Sequence, residues 1–175
     1  TVQANAVSQV STVPAKTDWA FGLSDYDVLL QNLRPLYDQL AGTIPLFPSF
    51  DQLSQGSKNN FGVDLLDSNE LSGLGFDVKN GLVVHGAVIP KFKGMQGLTV
   101  SVSAIDATKL GRWLEGNLTK FLAIQPMGEK RIRGTSVKLF GSHSSIQMGV
   151  AIKGSTVHLF SASNKKLVVS EAKRV

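Results

Sequence analysis

The sequence predicts an α+β domain, in which an antiparallel, curved β-sheet carries two main helices packed on one face. Residues 98–105 (LTVSVSAI) alternate apolar and polar side chains, as a half-buried strand does. Residues 107–124 repeat apolar side chains at helical spacing, and so does an earlier segment. The last third holds successive strand-like segments separated by short turns, and strands joined in this way pair antiparallel.

The first helix is expected to begin at Ser24 or Asp25, since both residue types cap helix N-termini well. Apolar residues then recur at helical spacing, and Gly42 is a natural end. Pro35 lies inside this run. Because proline removes a backbone donor and clashes with the preceding turn, we expect a kink or a break near Leu33.

The chain has the length of one domain. Residues 1–18 are small, polar and aperiodic, which predicts a flexible N-terminal segment. Residues 19–175 then form a single α+β domain, which is either complete or one unit of a larger protein. Trp19, Phe21 and Leu23 open this domain with an alternation typical of a short strand or an anchoring segment.

Residues 61–81 (FGVDLLDSNELSGLGFDVKNG), here the acidic stretch, concentrate carboxylates and glycines. The polar run before it, residues 52–60, is expected to be a spacer. The spacing of an EF-hand calcium loop fails whether the frame starts at Asp64 or at Asp67. The remaining metal hypothesis is an irregular calcium site built from the oxygens of Asp64, Asp67, Asn69 and Glu70.

An architectural interpretation of the acidic stretch is simpler. Asp67 or Ser68 caps a short helix, which Gly73 or Gly75 ends. Residues 79–81 (Lys-Asn-Gly) then predict a tight turn, because Asn-Gly is the strongest two-residue hairpin signal. The segment around that turn is expected to form two strands or one bent strand. Neither the dinucleotide nor the P-loop glycine fingerprint is present.

Three strands are expected in the last third of the chain, at 130–140, 145–153 and 155–163, and a fourth apolar segment follows at 167–171. Lys153-Gly154 marks the turn between the second and third. The fourth segment, LVVSE, is expected to be a short strand or the start of a further unit.

Charge is distributed unevenly along the chain. The net charge is +5, yet residues 1–87 hold 4 basic and 9 acidic side chains, whereas residues 88–175 hold 14 and 4. The densest basic cluster, Lys130, Arg131 and Arg133, suits an edge strand guarded by charge or contact with an anionic surface. No aromatic residues alternate with these basic residues, which argues against sequence-specific nucleic-acid binding.

No catalytic, cofactor-binding or metal-binding residue is predicted. The absence of cysteine excludes disulfides, thiol nucleophiles and Cys-ligated zinc. His85 and His158 lie in strands where they could face a core or solvent. A hydrolase site would have to assemble from scattered residues such as Asp64, Asp67, His85 and His143. The loop that carries His143 also holds Ser142, Ser144 and Ser145, but adjacent loop residues aim a base at a nucleophile poorly.

Two segments resemble uncharacterised exported bacterial proteins and lipoproteins built from repeated α+β units. They are FGVDLLDSNELSGLGFDVKNGLVVHGAVI (61–89) and SVKLFGSHSSIQMGVAIKGSTVHLFSAS (136–163). The resemblance implies export to the periplasm or the cell surface, and it brings no catalytic residues. We therefore expect a non-enzymatic envelope domain with a structural or protein-interaction role, whose partner is another envelope protein or a further copy. The alternative is a carrier of a lipid or another apolar ligand between sheet and helices.

Overall fold

A computed structural model of the protein describes residues 13–14, 17–88, 96–121, 124–141 and 147–175. The predicted flexible segment 1–18 therefore lies mostly outside the described residues. The elements are β1 (Trp19–Leu23), α1 (Tyr26–Thr43), α2 (Phe50–Phe61), α3 (Ser68–Gly73), β2 (Leu82–Val88), β3 (Gln96–Ser103), α4 (Ala107–Phe121), β4 (Gln125–Ile132), β5 (Thr135–Gly141), β6 (Gln147–Lys153), β7 (Thr156–Ala162) and α5 (Lys165–Ala172).

The strands form one seven-stranded sheet in the order β1-β2-β3-β7-β6-β5-β4, and every neighbouring pair is antiparallel. The sheet is open, with β1 at one edge and β4 at the other. This confirms an antiparallel α+β architecture.

Helices cover both faces of the sheet. Val150 and Val157 belong to the core cluster that contains residues of α4, whereas Ala151 and Phe160 belong to the cluster that contains residues of α5. Because successive residues of a strand point to opposite faces, Val150 and Ala151 assign the two clusters to opposite sides. The sheet is thus the middle layer of the fold.

Residues 167–171, for which a short strand or the start of a further unit was expected, do not form a strand and lie in α5. Asn164 caps this helix by accepting a hydrogen bond from the Leu167 backbone N–H at 3.0 Å. Leu167, Val168 and Glu171 are fully buried against the sheet. A short apolar run fits a strand and a buried helix equally well, so periodicity alone could not separate them.

The single strand predicted over 130–140 is two strands, β4 and β5, joined by a hairpin. Arg133 (φ 49°) and Gly134 (φ 84°) are the turn residues, and both lie in the left-handed region. Two successive positive φ angles match a type I′ turn, whose twist suits antiparallel strands. The turn was not predicted because its first residue is Arg, whereas the usual sequence signal for this turn type is Asn-Gly. The turn predicted at Lys153-Gly154 is confirmed, with Gly154 at φ 60°.

The N-terminal helical region differs from two expectations. Residues 26–43 form one helix, so Pro35 does not cause the break that was one of its two expected effects, and Asp25 caps the helix as predicted. The expected spacer at 52–60 lies within α2. Ser49 and Gln52 form a reciprocal capping box at the start of α2, a Ser-x-x-Gln signal that outweighs the polar composition of the segment.

The Lys79-Asn80-Gly81 turn exists, but it does not join two paired strands. The Asp77 carboxylate accepts hydrogen bonds from the backbone N–H groups of Lys79 (3.2 Å) and Asn80 (3.1 Å). Gly81 has φ 63°, and a Cβ there would lie 1.9 Å from the Leu23 carbonyl oxygen. The turn therefore directs the chain past the end of β1 and into β2, which pairs with β1 and β3.

Candidate functional site

The acidic stretch is held together by local hydrogen bonds. Asp67 caps α3 and accepts from the backbone N–H groups of Asn69 (2.8 Å) and Glu70 (3.3 Å). The Glu70 carboxylate accepts from the Asp64 N–H at 2.7 Å and pairs with Lys58 Nζ at 2.7 Å. These contacts hold the pKa of Glu70 below its usual value. The helix-cap prediction for Asp67 is confirmed.

Asp64 is the buried carboxylate of the acidic stretch. It accepts hydrogen bonds from Ser54 Oγ, from Ser57 Oγ at 3.3 Å and from the Leu66 N–H at 2.9 Å. Burial by itself raises the pKa of Asp64, but the hydrogen bonds from Ser54, Leu66 and Ser57 outweigh it and lower that pKa. Within the described residues, no three His, Asp or Glu side chains are arranged to hold a metal ion.

Five polar side chains are buried together on the sheet face beneath α5. This buried polar cluster consists of His85 on β2, Thr99 and Ser101 on β3, His158 on β7 and Glu171 on α5. At most 3% of any of them is exposed. Strand register brings them together, since His85 pairs with Thr99 and Ser101 pairs with His158.

Hydrogen bonds and one ion pair link most of the buried polar cluster. Ser101 Oγ lies 2.9 Å from His158 Nδ1. Thr99 Oγ1 donates to Glu171 Oε2 at 3.4 Å, and Arg174 Nη1 lies 3.2 Å from Glu171 Oε1. A buried carboxylate without partners would be very costly, so Thr99 and Arg174 make the burial of Glu171 tolerable.

Both buried histidines resist protonation. Burial lowers the pKa of His158 to about 4, with smaller contributions from Lys153 and His85. Burial, and then the positive charge of Arg174, also lower the pKa of His85. Neither ring nitrogen of His85 has a hydrogen-bond partner among the described residues. Both side chains are therefore neutral in the fold near pH 7.

Ser101 and His158 have the separation of a nucleophile and its general base. However, only 2% of Ser101 and 3% of His158 is exposed, so a substrate cannot reach them while α5 is in place. Among the described members of the scattered hydrolase set, Asp64 and His85 are not brought together either. Leu65, which follows Asp64, packs in the cluster of α4, whereas His85 lies beneath α5. Another part of the predicted set falls outside the described residues, namely Ser142, His143, Ser144 and Ser145.

Sequence reasoning singled out His85 and His158 but missed their partners. It placed Thr99 and Ser101 on the polar face of β3, which is correct, and the structure buries that face. Glu171 was missed because its segment was expected to be a short strand or the start of a further unit, and not a helix packed on the sheet. A usable signal existed: the polar face of β3 carries small hydroxyl side chains and no charge, which suits burial beside histidine.

The edge strand β4 carries features that discourage pairing with another strand. Its predicted basic residues Lys130, Arg131 and Arg133 at the turn are all exposed. The strand also contains Pro126 and an irregular register between Pro126 and Gly128. Charge, proline and bulges are the usual means by which proteins protect a sheet edge. The edge-strand interpretation of the basic cluster therefore fits its position.

Among the described residues, the opposite edge, β1, has no such protection. Its sequence WAFGL contains neither a charge nor a proline. Trp19 is 41% exposed and Phe21 is 62% exposed. Trp19 lies across Gly86 of β2, where an added Cβ would come within 2.7 Å of the indole ring. Gly86 thus allows an aromatic side chain to lie flat on the sheet beside an unprotected edge.

An apolar cavity of about 180 Å³ lies on the side of the sheet that α4 covers, between the sheet and the helices. Tyr26, the first residue of α1, borders it, and its hydroxyl donates to the Leu65 carbonyl at 2.8 Å. The other lining residues are Leu65, Leu71, Leu74, Phe76, Leu82, Val102, Leu110, Trp113 and Leu114.

Fold and site together define an α+β protein with an open antiparallel sheet and a polar cluster sealed under its last helix. Comparison with protein-family models, with curated proteins and with solved structures finds no match for this chain. Among the described helices, none has the length and apolar character needed to cross a bilayer.

Proposed function

We propose that this chain is a non-enzymatic domain of the bacterial cell envelope, in the periplasm or at the cell surface, with a structural or protein-interaction role. The contrast between the two sheet edges carries the proposal. Charged residues, a proline and an irregular register discourage another strand from pairing with β4. The described residues of β1 are uncharged, contain no proline and leave that edge open to pairing. The envelope location rests on the resemblance of residues 61–89 and 136–163 to exported bacterial proteins.

The proposed mode of binding is strand addition at β1. An extended segment of the partner pairs with the free edge of β1, so that main-chain hydrogen bonds supply affinity. Side chains of that segment contact Trp19 and Phe21, which alternate with Ala20 and therefore point to one face. A partner segment with apolar side chains at alternate positions fits this surface best.

Photo-crosslinking in cells tests the mode of binding. A crosslinker at Phe21 is expected to trap a discrete envelope protein, and Phe21→Lys combined with a crosslinker at Trp19 is expected to lose that product. Met127, 48% exposed on β4, supplies the matched position, where a crosslinker should trap nothing and Met127→Lys should leave the Trp19 product intact. Equal products from both edges, or none from either, would contradict the proposal.

A second candidate function is carriage of an apolar ligand, which the cavity of about 180 Å³ favours. Tyr26 of α1 packs against the same core cluster as Leu110 and Leu118 of α4. This supports the packing of both main helices on one face of a curved sheet. The volume lies below the roughly 300–1,000 Å³ of most ligand pockets. An apolar cavity of roughly 150 Å³ still binds benzene, so the ligand would be small.

Native mass spectrometry of gently purified protein tests the carrier function. A small apolar adduct is expected on the wild-type chain and should be lost from Leu74→Trp, which fills the cavity. Ile105→Trp, at a side chain 67% exposed, is the control that should keep the adduct. A wild-type spectrum that contains only the bare chain would remove this candidate.

A further inference from the structure

The helices α1 and α2 and the residues between them form a helical arm. None of the residues of α1 is buried. At 1.5 Å per residue, its 18 residues span about 27 Å. The arm is braced internally, because Arg34 forms an ion pair with Asp51 at 2.6 Å and lies over the ring of Phe50 at 5.2 Å.

The turn between the two helices is apolar and protrudes. This apolar tip, residues 44–48, has the sequence Ile-Pro-Leu-Phe-Pro. Leu46 is 103% exposed and has φ 67°, in the left-handed region that leucine rarely adopts. Ile44 is 45% exposed, while Phe47 packs against Tyr37 with ring centroids 5.5 Å apart. The backbone thus holds the leucine side chain outwards.

The backbone of the apolar tip presents few free donors. Pro45 and Pro48 have no N–H group. The Ile44 N–H donates to the Leu40 carbonyl at 2.8 Å, and the Phe47 N–H donates to the Ile44 carbonyl at 3.1 Å. At most one N–H of the five residues, that of Leu46, remains to be solvated. Transfer of this tip out of water therefore leaves almost no backbone N–H group without a hydrogen-bond partner.

The charge pattern around the tip favours lipid over protein. No charged side chain occurs between Asp38 and Asp51, so the tip can leave water without desolvating an ion. A stable protein interface buries about 800 Å² on each partner, which five residues at a convex turn do not supply. We propose that the apolar tip inserts into the interfacial layer of a lipid bilayer and anchors the domain peripherally. This goes beyond the strand-addition function and does not depend on it.

Flotation with phosphatidylcholine vesicles tests the proposal on the whole chain. Wild-type protein is expected to float with the vesicles, and the double variant Ile44→Ser with Leu46→Ser is expected to bind at least about tenfold more weakly. Ile105→Ser removes an apolar side chain that is 67% exposed elsewhere on the molecule, and this variant should float like wild type. Binding should be unchanged between about 0.1 M and about 0.5 M salt, because no charge takes part.

A fluorescent label gives a second readout, since the chain has no cysteine. An environment-sensitive dye on Leu46→Cys should shift to the blue with vesicles, whereas the same dye on Ile105→Cys should not. The proposal is overturned if no protein floats, or if the double variant floats like wild type. It is also overturned if salt or Lys130→Glu abolishes binding, which would identify the basic cluster. A blue shift that grows with protein concentration without vesicles would identify a second copy as the occupant.

Discussion

Acidification from pH 7 to pH 4 is expected to cost the fold about 3 kcal/mol through His158 alone. Burial lowers the pKa of His158 from 6.5 to about 4. One pKa unit corresponds to about 1.4 kcal/mol. Between the two pKa values, His158 binds a proton in the unfolded chain but not in the folded chain. The stabilising contribution is therefore present above pH 6.5 and is lost as the pH falls towards 4. His85, whose pKa is also lowered, adds to the loss in the same direction.

Urea unfolding at several pH values between 7 and 5 measures this effect before most carboxylates titrate. His158→Gln should flatten the dependence of the unfolding free energy on pH, because glutamine has no charge to gain. His85→Phe should flatten it less and should cost little at pH 7, since neither nitrogen of His85 has a partner in the described structure. A profile in His158→Gln as steep as that of wild type would refute the role of His158.

Gly97→Ala is expected to destabilise the protein by about 3 kcal/mol, at the upper end of the cost of overpacking. Gly97 lies on β3 beneath Glu171, and an added Cβ would come within 2.3 Å of Glu171 Cγ and 2.5 Å of Cδ. The clash involves Cγ and Cδ of Glu171. To relieve it, α5 must move, or the Glu171 side chain must give up its hydrogen bond with Thr99. Either response weakens the seal over the buried polar cluster.

Gly116→Ala is the matched control for this substitution. Gly116 is an exposed residue of α4, and nothing lies within 4 Å of an added Cβ. Alanine inside a helix is favoured over glycine by about 0.5–1 kcal/mol, so this variant should be slightly more stable than wild type. Urea unfolding at pH 7 compares the two variants. A Gly97→Ala protein with wild-type stability would show that Glu171 is not fixed against the sheet.

Local signals predicted much of the sheet correctly. Residues 98–105 gave a strand in nearly its observed place, since alternation over eight residues is hard to mistake. The errors occurred where two local rules competed. Ser49 and Gln52 cap a helix of polar composition, and Arg133-Gly134 forms a turn without its usual residues. The capping box outweighed the polar composition of its segment, and the backbone at Arg133 and Gly134 adopts the turn although Arg is not a usual residue there.

Local patterns could indicate burial of the polar face of β3, but they could not predict the assembled buried polar cluster. The polar side chains of β3 would normally face water, and they are buried only because α5 covers them. That covering depends on contacts between residues far apart in sequence, such as Thr99 with Glu171. Periodicity reports which residues share a face of a strand, but it does not report which face the rest of the chain will cover.

The position of β7 between β3 and β6 has a consequence for synthesis of the chain. β3 ends at Ser103, but the strand that completes its second edge begins only at Thr156. At roughly 5–20 residues per second, the ribosome needs several seconds to make the intervening segment. During that interval the nascent chain holds β3 with one open edge, which is a site for pairing with other chains. We therefore expect a chaperone to bind nascent chains that end between these strands more strongly than chains that include β7.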